Sequence, residues 1–205
     1  MKPKLLYQGA EAKIYLRDKF IIKDRIPKAY RIKELDDKIR KRRTCSEAKL
    51  LEKASKIINA PNPFFIPNKG FYQIKMPFID GKKLSDNLDN FPLKTQKQIC
   101  GQIGKSIAKL HKENIAHGDL TTSNIILKEK EIYLIDFGLG YQNGKYEDKA
   151  VEIHLLKQAL EAKHFQNWNI LFNEFLKGYK KENKKESEKV LNQLIKVEQR
   201  GRYKH

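Results

Sequence analysis

The sequence has only two cysteines and no long apolar run, and both absences exclude classes of protein. Cys45 and Cys100 lie far apart and form neither a C-x-x-C pattern nor a pair with a nearby histidine. Zinc sites and disulfide frameworks require such clusters, so we expect neither, and a reducing compartment follows. Nowhere do about 18 apolar residues run together, and the first residues lack the apolar segment of a signal peptide. We therefore expect a soluble, cytoplasmic protein without membrane contact.

Acidic residues are scarce relative to basic ones. Lysine and arginine together number 43 against 25 aspartate and glutamate residues, which gives a formal net charge of +18 and a pI near 9.7. Such an excess favours polyanions, and RNA is the expected polyanion in the cytoplasm. A lysine-rich surface set by genome composition is the alternative. The densest basic run, K-I-R-K-R-R at residues 38–43, is either an RNA or partner contact or a solvated helix face.

The chain has enough apolar material for one domain or two closely packed lobes, because 40% of its 205 residues are hydrophobic. Apolar periodicity predicts a β-rich first part, then a helical region in two pieces, and then a mainly helical second part. Residues 177–189 are charged and are expected to be solvated. The predicted strands are 5–8, 12–16, 20–23 and 70–79, and the predicted helices are 28–43, 44–58, 93–111, 150–162 and 168–179.

Two short motifs near the middle of the chain give the strongest chemical signal. H-G-D-L-T-T-S-N places Asp119 and Asn124 after one predicted strand, and D-F-G places Asp136 after another. A loop aspartate can accept the proton of a hydroxyl or of water, while an asparagine and the D-F-G aspartate hold magnesium ions that neutralise phosphates. The motifs predict phosphoryl transfer from ATP with Mg²⁺, with Asp119 as base and Asn124 and Asp136 as metal ligands. Capping of turns is the alternative, but capping does not require this order.

Glycine is sparse in the first turn, Gly9-Ala10-Glu11, which is expected to cover the nucleotide. A loop that cradles phosphates uses several glycines so that backbone N–H groups can approach the anion. Only Gly9 is available, and Glu11 adds a negative charge, so we expect this turn to position the nucleotide. Lys23 in the third strand is the expected phosphate-binding cation. Glu47 lies on an apolar helical face and is its expected partner, because a carboxylate facing a core needs a cation.

The connector between the two parts of the chain is the expected adenine site. Met76, Pro77 and Phe78 are the candidates whose backbone groups would bond the base, although Pro77 lacks an N–H. Farther along, Glu152 lies inside an apolar helical run. It either accepts backbone N–H bonds from the loop around His117 or extends to the surface.

The remaining histidines carry no signal for chemistry. They show no metal-ligand spacing, and we expect them at the surface or at the edge of the core. They are His111, His154 and His164.

Together these segments resemble the small atypical Ser/Thr kinase subunit of the KEOPS (EKC) complex, of the piD/PRPK type, nearly from end to end. The resemblance implies an α+β, bilobal protein-kinase-like fold with a β-rich N-lobe at residues 1–77, a reduced helical C-lobe at 78–199 and a basic tail at 200–205. The motifs are Q-G-A-E-A at 8–12, F-I-I-K-D-R-I-P-K-A-Y-R at 20–31, R-T-C-S-E-A at 43–48, H-G-D-L-T-T-S-N at 117–124, D-F-G-L at 136–139 and R-G-R at 200–202.

The resemblance also implies a function. It implies binding of ATP and Mg²⁺, autophosphorylation on serine or threonine, and ATP hydrolysis. The hydrolysis would support a threonylcarbamoyl transferase that forms threonylcarbamoyladenosine at position 37 of tRNAs reading codons that begin with A. The transferase is expected against the C-lobe and the tail, through Arg200 and Arg202, and a further small KEOPS subunit against the N-lobe. Contact with tRNA is expected through the basic surface. An aspartate stands in the family pattern where this chain has Glu152.

Two further features bear on mechanism. Gly118 stands where regulated kinases have an arginine that reads a phosphate, and the segment after Gly138 is short and lacks A-P-E. We therefore expect neither activation by loop phosphorylation nor a formed peptide groove, and water or a hydroxyl of the chain itself becomes the acceptor. Two alternatives remain: a small-molecule kinase of the aminoglycoside or choline type, and a scaffold that binds nucleotide without turnover.

Overall fold

The computed structural model describes residues 3–64 and 72–202, and its first part is an antiparallel sheet covered by one long helix. The sheet has four strands in the order β1-β2-β3-β4. Lys23 lies in the third strand, opposite Ile14 on one side and Ile74 on the other. The predicted strand at 70–79 is shorter in the structure, and Gly70 and Phe71 lie outside the described residues. The strands are β1 Lys4–Gln8, β2 Ala12–Arg17, β3 Phe20–Arg25 and β4 Gln73–Pro77.

The helical region after the third strand is one helix, and the prediction of two pieces was wrong. Helix α1, Lys33–Ser55, is continuous over 23 residues. No glycine or proline interrupts it, so the basic run in its middle continues the helix rather than ending it. Its predicted first apolar residues do not pack, because Ile32 precedes the helix at 73% exposed and Leu35 is 50% exposed.

The second part of the chain is mainly helical, and a close helix pair forms its centre. Helices α3 and α5 approach with their backbones nearly in contact, since a Cβ built on Gly104 would lie 2.1 Å from the Phe175 carbonyl oxygen. Gly104 is therefore a packing residue. The helices are α2 Leu84–Asn87, α3 Leu93–Lys112, α4 Tyr146–Lys163, α5 Trp168–Glu182 and α6 Lys184–Arg202.

Short strands between these helices hold the loops that carry the two motifs. One small sheet has the order β5-β7-β8, and a second joins β6 to β9. Ile125 pairs with Leu134 across β7 and β8, so the residues just before β7 and just after β8 lie side by side. These strands are β5 Lys82–Lys83, β6 Ile115–Ala116, β7 Ile125–Lys128, β8 Glu131–Leu134 and β9 Tyr141–Gln142.

The charged region near the C-terminus is more ordered than expected. Residues 177–182 belong to α5 and residues 184–189 to α6, and Tyr179 and Ser187 within them are buried, so full solvation was wrong. Helix α6 continues to Arg202, and Val197 packs against the core. The expected tail therefore begins inside a helix. Residues 203–205 and the side chain of Arg202 lie outside the described part.

The predicted α+β class, with a β-rich first part and a helical second part, is confirmed. Within the described ranges 3–64 and 72–202, none of the helices is long and apolar enough to cross a membrane.

Candidate active site

The predicted pair between Lys23 and Glu47 is formed. Lys23 Nζ donates to Glu47 Oε1 at 2.6 Å and to Asp136 Oδ1 at 2.7 Å. Arg25 lies on the same strand face and donates from Nη2 to Glu47 Oε2 at 2.5 Å. Because the side chains of Lys23, Arg25 and Glu47 are almost fully buried, the pairs hold helix α1 against the sheet. A buried carboxylate is stable here only because it has cationic partners.

The pKa values of this cluster favour its charged state. Burial alone would lower the pKa of Lys23, but attraction to Glu47 and Asp136 outweighs it and raises that pKa above 10.5. Burial alone would raise the pKa of Asp136, but the charge and hydrogen bond of Lys23 and the N–H of Gly138 lower it below 3.8. At neutral pH the Lys23 ammonium and the Asp136 carboxylate are therefore both ionised.

The catalytic-loop residues Asp119 and Asn124 lie together as predicted. Asn124 Nδ2 donates to the carbonyl oxygen of Asp119 at 2.9 Å and to its Oδ2 at 2.8 Å. Ile135 N–H donates to the carbonyl of Asn124 at 3.0 Å, which ties this loop to the D-F-G loop. His117 Nε2 donates to the carbonyl of Ile135 at 2.9 Å, so its Nδ1 accepts the Asp119 N–H at 3.3 Å. The two motifs form one site.

Glu152 is buried beneath this loop, which settles the alternative in favour of the structural role. Its oxygens accept the His117 N–H at 3.0 and 3.1 Å and contact His111 Nε2 at 3.2 Å. His111 Nδ1 in turn contacts the hydroxyl of Tyr179 at 2.8 Å. The longer side chain of glutamate therefore reaches the loop where the family pattern has aspartate. The expectation for His111 was wrong, since it is 3% exposed.

His164 was also expected near the surface, and it is 1% exposed. Its Nδ1 lies 2.9 Å from Asp89 Oδ2 and its Nε2 lies 3.2 Å from Thr122 Oγ1, so it supports the last part of the catalytic loop. Burial of these histidines was not visible in the sequence, because each depends on a partner far away in the chain.

A cleft between the two parts of the chain contains the predicted nucleotide residues. Its larger cavity, about 460 Å³, is of the size of small-molecule sites and has mainly apolar walls. Met76, Pro77 and Phe78 line it as predicted, but the Phe78 N–H already donates to the Lys19 carbonyl at 2.9 Å. Since Pro77 has no N–H, a donor to adenine must come from another connector residue such as Ile79, which also lines the cavity.

A smaller cavity of about 290 Å³ continues the cleft on the side of the first turn. Lys23 and Asp136 line both cavities, which places them where the nucleotide phosphates would lie. The smaller cavity reaches the catalytic base candidate. It is lined by Tyr7, Gly9, Ala10, Glu11, Ala12, Ile14, Lys23, Arg25, Arg43, Asp119, Asp136, Gly138 and Leu139.

Cations tie the first turn to the body of the protein. Arg43 donates to Glu11 at 2.8 Å, and Lys28 bonds the carbonyl oxygen of Ala10. The charge of Glu11 is therefore compensated, which removes the expected repulsion of phosphates. The N–H of Gly9 donates to the Ala12 carbonyl at 3.0 Å and is used within the turn. A positioning role fits this turn better than a cradle of N–H groups.

The residues present fit magnesium. Because Asn124 donates through Nδ2, its Oδ1 is left as an acceptor. Both hydrogen bonds recorded for the Asp136 carboxylate go to Oδ1, and its φ of 63° holds it in the left-handed region. Among the described residues no cluster of three or more His, Cys, Asp or Glu forms a cage. Mg²⁺ is ordinarily held by one or two protein oxygens together with substrate phosphates, which matches this donor set.

The segment after the D-F-G motif packs directly on the catalytic loop. Gly118 has a φ of +80°, and a Cβ there would lie 2.2 Å from the Leu139 carbonyl oxygen. Beyond it, Tyr141 pairs with Ala116 across β9 and β6. An arginine at position 118 cannot fit this arrangement, which gives a structural reason for the glycine.

Two arginines of the basic run in helix α1 are paired with acids. Arg40 bonds Asp36 and Asp37, each at 2.6 Å, and Arg43 bonds Glu11. The basic run was expected to be either an RNA or partner contact or a solvated helix face. Arg40 and Arg43 fit neither expectation fully, because each is paired with an acidic side chain of the protein itself. Near the other end of the chain, Arg200 forms an ion pair with Glu147.

Sequence reasoning missed Arg25 and Arg43, which line the cleft, and Lys28, which bonds its first turn. Arg25 was the easiest of these to predict from the sequence, because its position two residues after Lys23 on a strand puts it on the same face. The contacts of the other two depend on the fold of the first turn.

Comparison with known proteins places these features in a family. The family model described as the protein kinase domain matches residues 17–165. The chain is 41% identical to the KEOPS complex subunit Bud32 of Pyrococcus abyssi, over 98% of this chain and 96% of the relative. It is 37% identical to the probable serine/threonine-protein kinase BUD32 homolog of Archaeoglobus fulgidus, over 97% and 95%.

A further relative is much longer than this chain. The probable bifunctional tRNA threonylcarbamoyladenosine biosynthesis protein of Methanobrevibacter smithii is 38% identical over 98% of this chain, but the match spans only 37% of that protein. In that relative, therefore, a region similar to this chain is one part of a longer chain.

Proposed function

The chain belongs to the protein kinase family and, within it, to the KEOPS subunits of the Bud32 type, and from this premise we propose that it is an atypical Ser/Thr kinase and ATPase that uses ATP and Mg²⁺. It acts in the cytoplasm within a KEOPS complex. Its turnover supports a threonylcarbamoyl transferase that modifies tRNA.

One observation carries the proposal. A single cleft contains the Lys23–Glu47 pair, the D-F-G aspartate Asp136 and the loop residues Asp119 and Asn124. Phosphoryl transfer requires little covalent chemistry from a protein and depends on positioned charges. These residues supply a cation for the phosphates, oxygen ligands for a metal ion and a carboxylate for the acceptor proton.

Each residue has a separate task in this scheme. Lys23 holds the phosphates, and Glu47 orients Lys23. Asp119 takes the proton from the acceptor oxygen, and Asn124 and His117 fix the orientation of Asp119 through its side chain and backbone. Asp136 and Asn124 would hold Mg²⁺, which, when bound, neutralises charge on the phosphates.

Water or a hydroxyl of the chain itself is the favoured acceptor. The segment after the D-F-G motif is packed onto the catalytic loop at Gly118, and it forms the short strand pair of Tyr141 with Ala116. This arrangement replaces the longer loop on which regulated kinases present peptides. Autophosphorylation and ATP hydrolysis are therefore favoured over phosphorylation of many proteins.

The partners follow from the relatives and the charge. The transferase would lie on the C-lobe and at the end of α6, with a further small subunit on the N-lobe, as the resemblance of the motifs implies. The excess of basic residues would favour tRNA nearby. A small-molecule kinase is disfavoured because the match to KEOPS subunits spans nearly the whole chain.

Phosphate release tests the proposal. It is measured for the chain alone, with the transferase, and with the transferase and tRNA together. We expect turnover to rise as each component is added and to require Mg²⁺. Absence of ATP turnover in all three mixtures would contradict the enzymatic part, and equal turnover in all three would contradict the coupling to partners.

A further inference from the structure

Arg25 is a buried cation in the cleft that the proposed function does not use. It follows Lys23 by two residues on β3, and Glu47 accepts from Lys23 on one oxygen and from Arg25 on the other. The side chain is only 5% exposed. Lys23 alone is enough to satisfy the proposed ion pair, so the second buried cation requires its own explanation.

The hydrogen-bonding capacity of Arg25 is only partly used. Its Nη2 bonds Glu47, whereas its buried Nε has no hydrogen-bond partner among the described residues. The residue also lines the smaller cavity, together with Asp119 and Asp136. A guanidinium has five N–H donors in a planar fork that matches phosphate oxygens.

Three other donors near the smaller cavity are already committed. The N–H of Gly9 bonds the carbonyl of Ala12. Arg43 is paired with Glu11, and Lys28 bonds the carbonyl of Ala10. A glycine-poor turn therefore offers few groups to a phosphate, and Arg25 is the buried cation beside Lys23 that can supply the contact.

We infer that Arg25 binds the phosphates of the nucleotide, and thereby takes over a task that a glycine-rich turn performs with backbone N–H groups. The inference rests on the proposed function, since it assumes that ATP occupies the cleft. It assigns Arg25 to phosphate recognition rather than only to the support of Glu47.

Binding measurements separate these two roles when Arg25→Met is also made in a Glu47→Gln background, because a loss of affinity there cannot come from lost support of the Glu47 carboxylate. Calorimetric titrations with a non-hydrolysable ATP analogue and with adenosine are made on the wild type, Arg25→Met, Arg25→Lys and Arg17→Met. Arg17 is exposed on the neighbouring strand and serves as the matched control. For Arg25→Met we expect affinity for the ATP analogue to fall about 10- to 100-fold, as for loss of a charge-assisted hydrogen bond, and affinity for adenosine to change less than about 2-fold.

Arg25→Lys should retain part of the ATP affinity because it keeps the charge, and it guards against a folding defect of Arg25→Met. Arg17→Met should behave as the wild type. Equal loss of ATP analogue and adenosine affinity in Arg25→Met, no loss of either, or a loss of ATP analogue affinity that disappears in the Glu47→Gln background, would overturn the inference. A wild type that binds adenosine as tightly as the ATP analogue would instead overturn the proposed function, so the two failures are distinguishable.

Discussion

At the scale of residues, Glu47 joins the two buried cations of the cleft, one on each carboxylate oxygen. This arrangement allows Lys23 to contact Asp136 as well, while Arg25 keeps Glu47 in place. The inward position of helix α1, which regulated kinases reach through activation, is therefore built from side chains that are already paired. An activating phosphorylation is not needed to form it.

The Lys23 cluster predicts a specific dependence of stability on pH. The raised pKa of Lys23 contributes stability that is complete below pH 10.5 and is lost as pH rises through the higher folded value. The lowered pKa of Asp136 contributes stability above pH 3.8 that is lost as pH falls through the lower folded value. The difference in free energy of unfolding between wild type and Lys23→Met should therefore be constant between these values and shrink outside them.

Urea unfolding of both proteins as a function of pH measures this difference. Arg25 remains to pair Glu47 in Lys23→Met, so the variant should fold. A difference that changes steeply between about pH 5 and pH 9 would show that other groups dominate.

The sequence predicted the Lys23–Glu47 pair because strand and helix periodicity assign each side chain to a face. It did not predict Arg25, since in a chain with 43 basic residues one arginine in a strand carries no separate signal. Burial of His111 and His164 was missed for a different reason. Their partners, Glu152 and Asp89, are distant in sequence, and only the packed fold brings them together.

At the scale of elements, the close packing of α3 on α5 supports the loops that carry the chemistry. Gly104 lies at the contact, whereas a Cβ built on Gly101 in the same helix would meet no atom of α5 closer than 3.9 Å. The helices themselves were largely predictable from their apolar period. Their ends were not: α4 begins at Tyr146 and α5 extends to Glu182, because polar residues continue a helix that tertiary contacts hold.

This contact predicts opposite effects for two similar substitutions. Gly104→Ala places a methyl group against the backbone of α5 and should lower the free energy of unfolding by roughly 1–3 kcal/mol or more. In Gly101→Ala the added methyl group makes only an ordinary van der Waals contact. The free energy of unfolding should stay the same or rise by up to about 1 kcal/mol, because alanine is the better helix former. Chemical denaturation measures both, and equal effects of the two variants would contradict the close approach.

At the scale of the whole molecule, nearby acids offset part of the positive charge of the basic run of α1. Arg40 and Arg43 in that run are paired with acids. The composition therefore predicted the sign of the net charge, but not which basic side chains are paired within the protein. The end of α6 is a separate basic feature, and Arg200 there reaches Glu147 at the start of α4. Pairing of this kind depends on three-dimensional contacts and is invisible to a count of charges.

Removal of residues 200–205 tests the role of this end. The ion pair of Arg200 is exposed, so its loss should cost less than about 1 kcal/mol of stability and leave nucleotide affinity unchanged. Turnover with the transferase and tRNA should fall. Glu147→Gln breaks the same ion pair with the tail present and is the control. An unchanged rate of tRNA modification in a reconstituted complex after truncation would remove the role assigned to this end.

The central claim is that Asp119 acts as the base in a single phosphoryl-transfer site, and Asp119→Ala tests it most directly. Phosphate release from ATP is compared between this variant and the wild type, each in complex with the transferase and tRNA. Matching affinities for a non-hydrolysable ATP analogue show that the cleft is intact. We predict that Asp119→Ala binds the analogue as the wild type does but releases phosphate about 10²–10⁴-fold more slowly. Phosphate release at the wild-type rate would contradict the account.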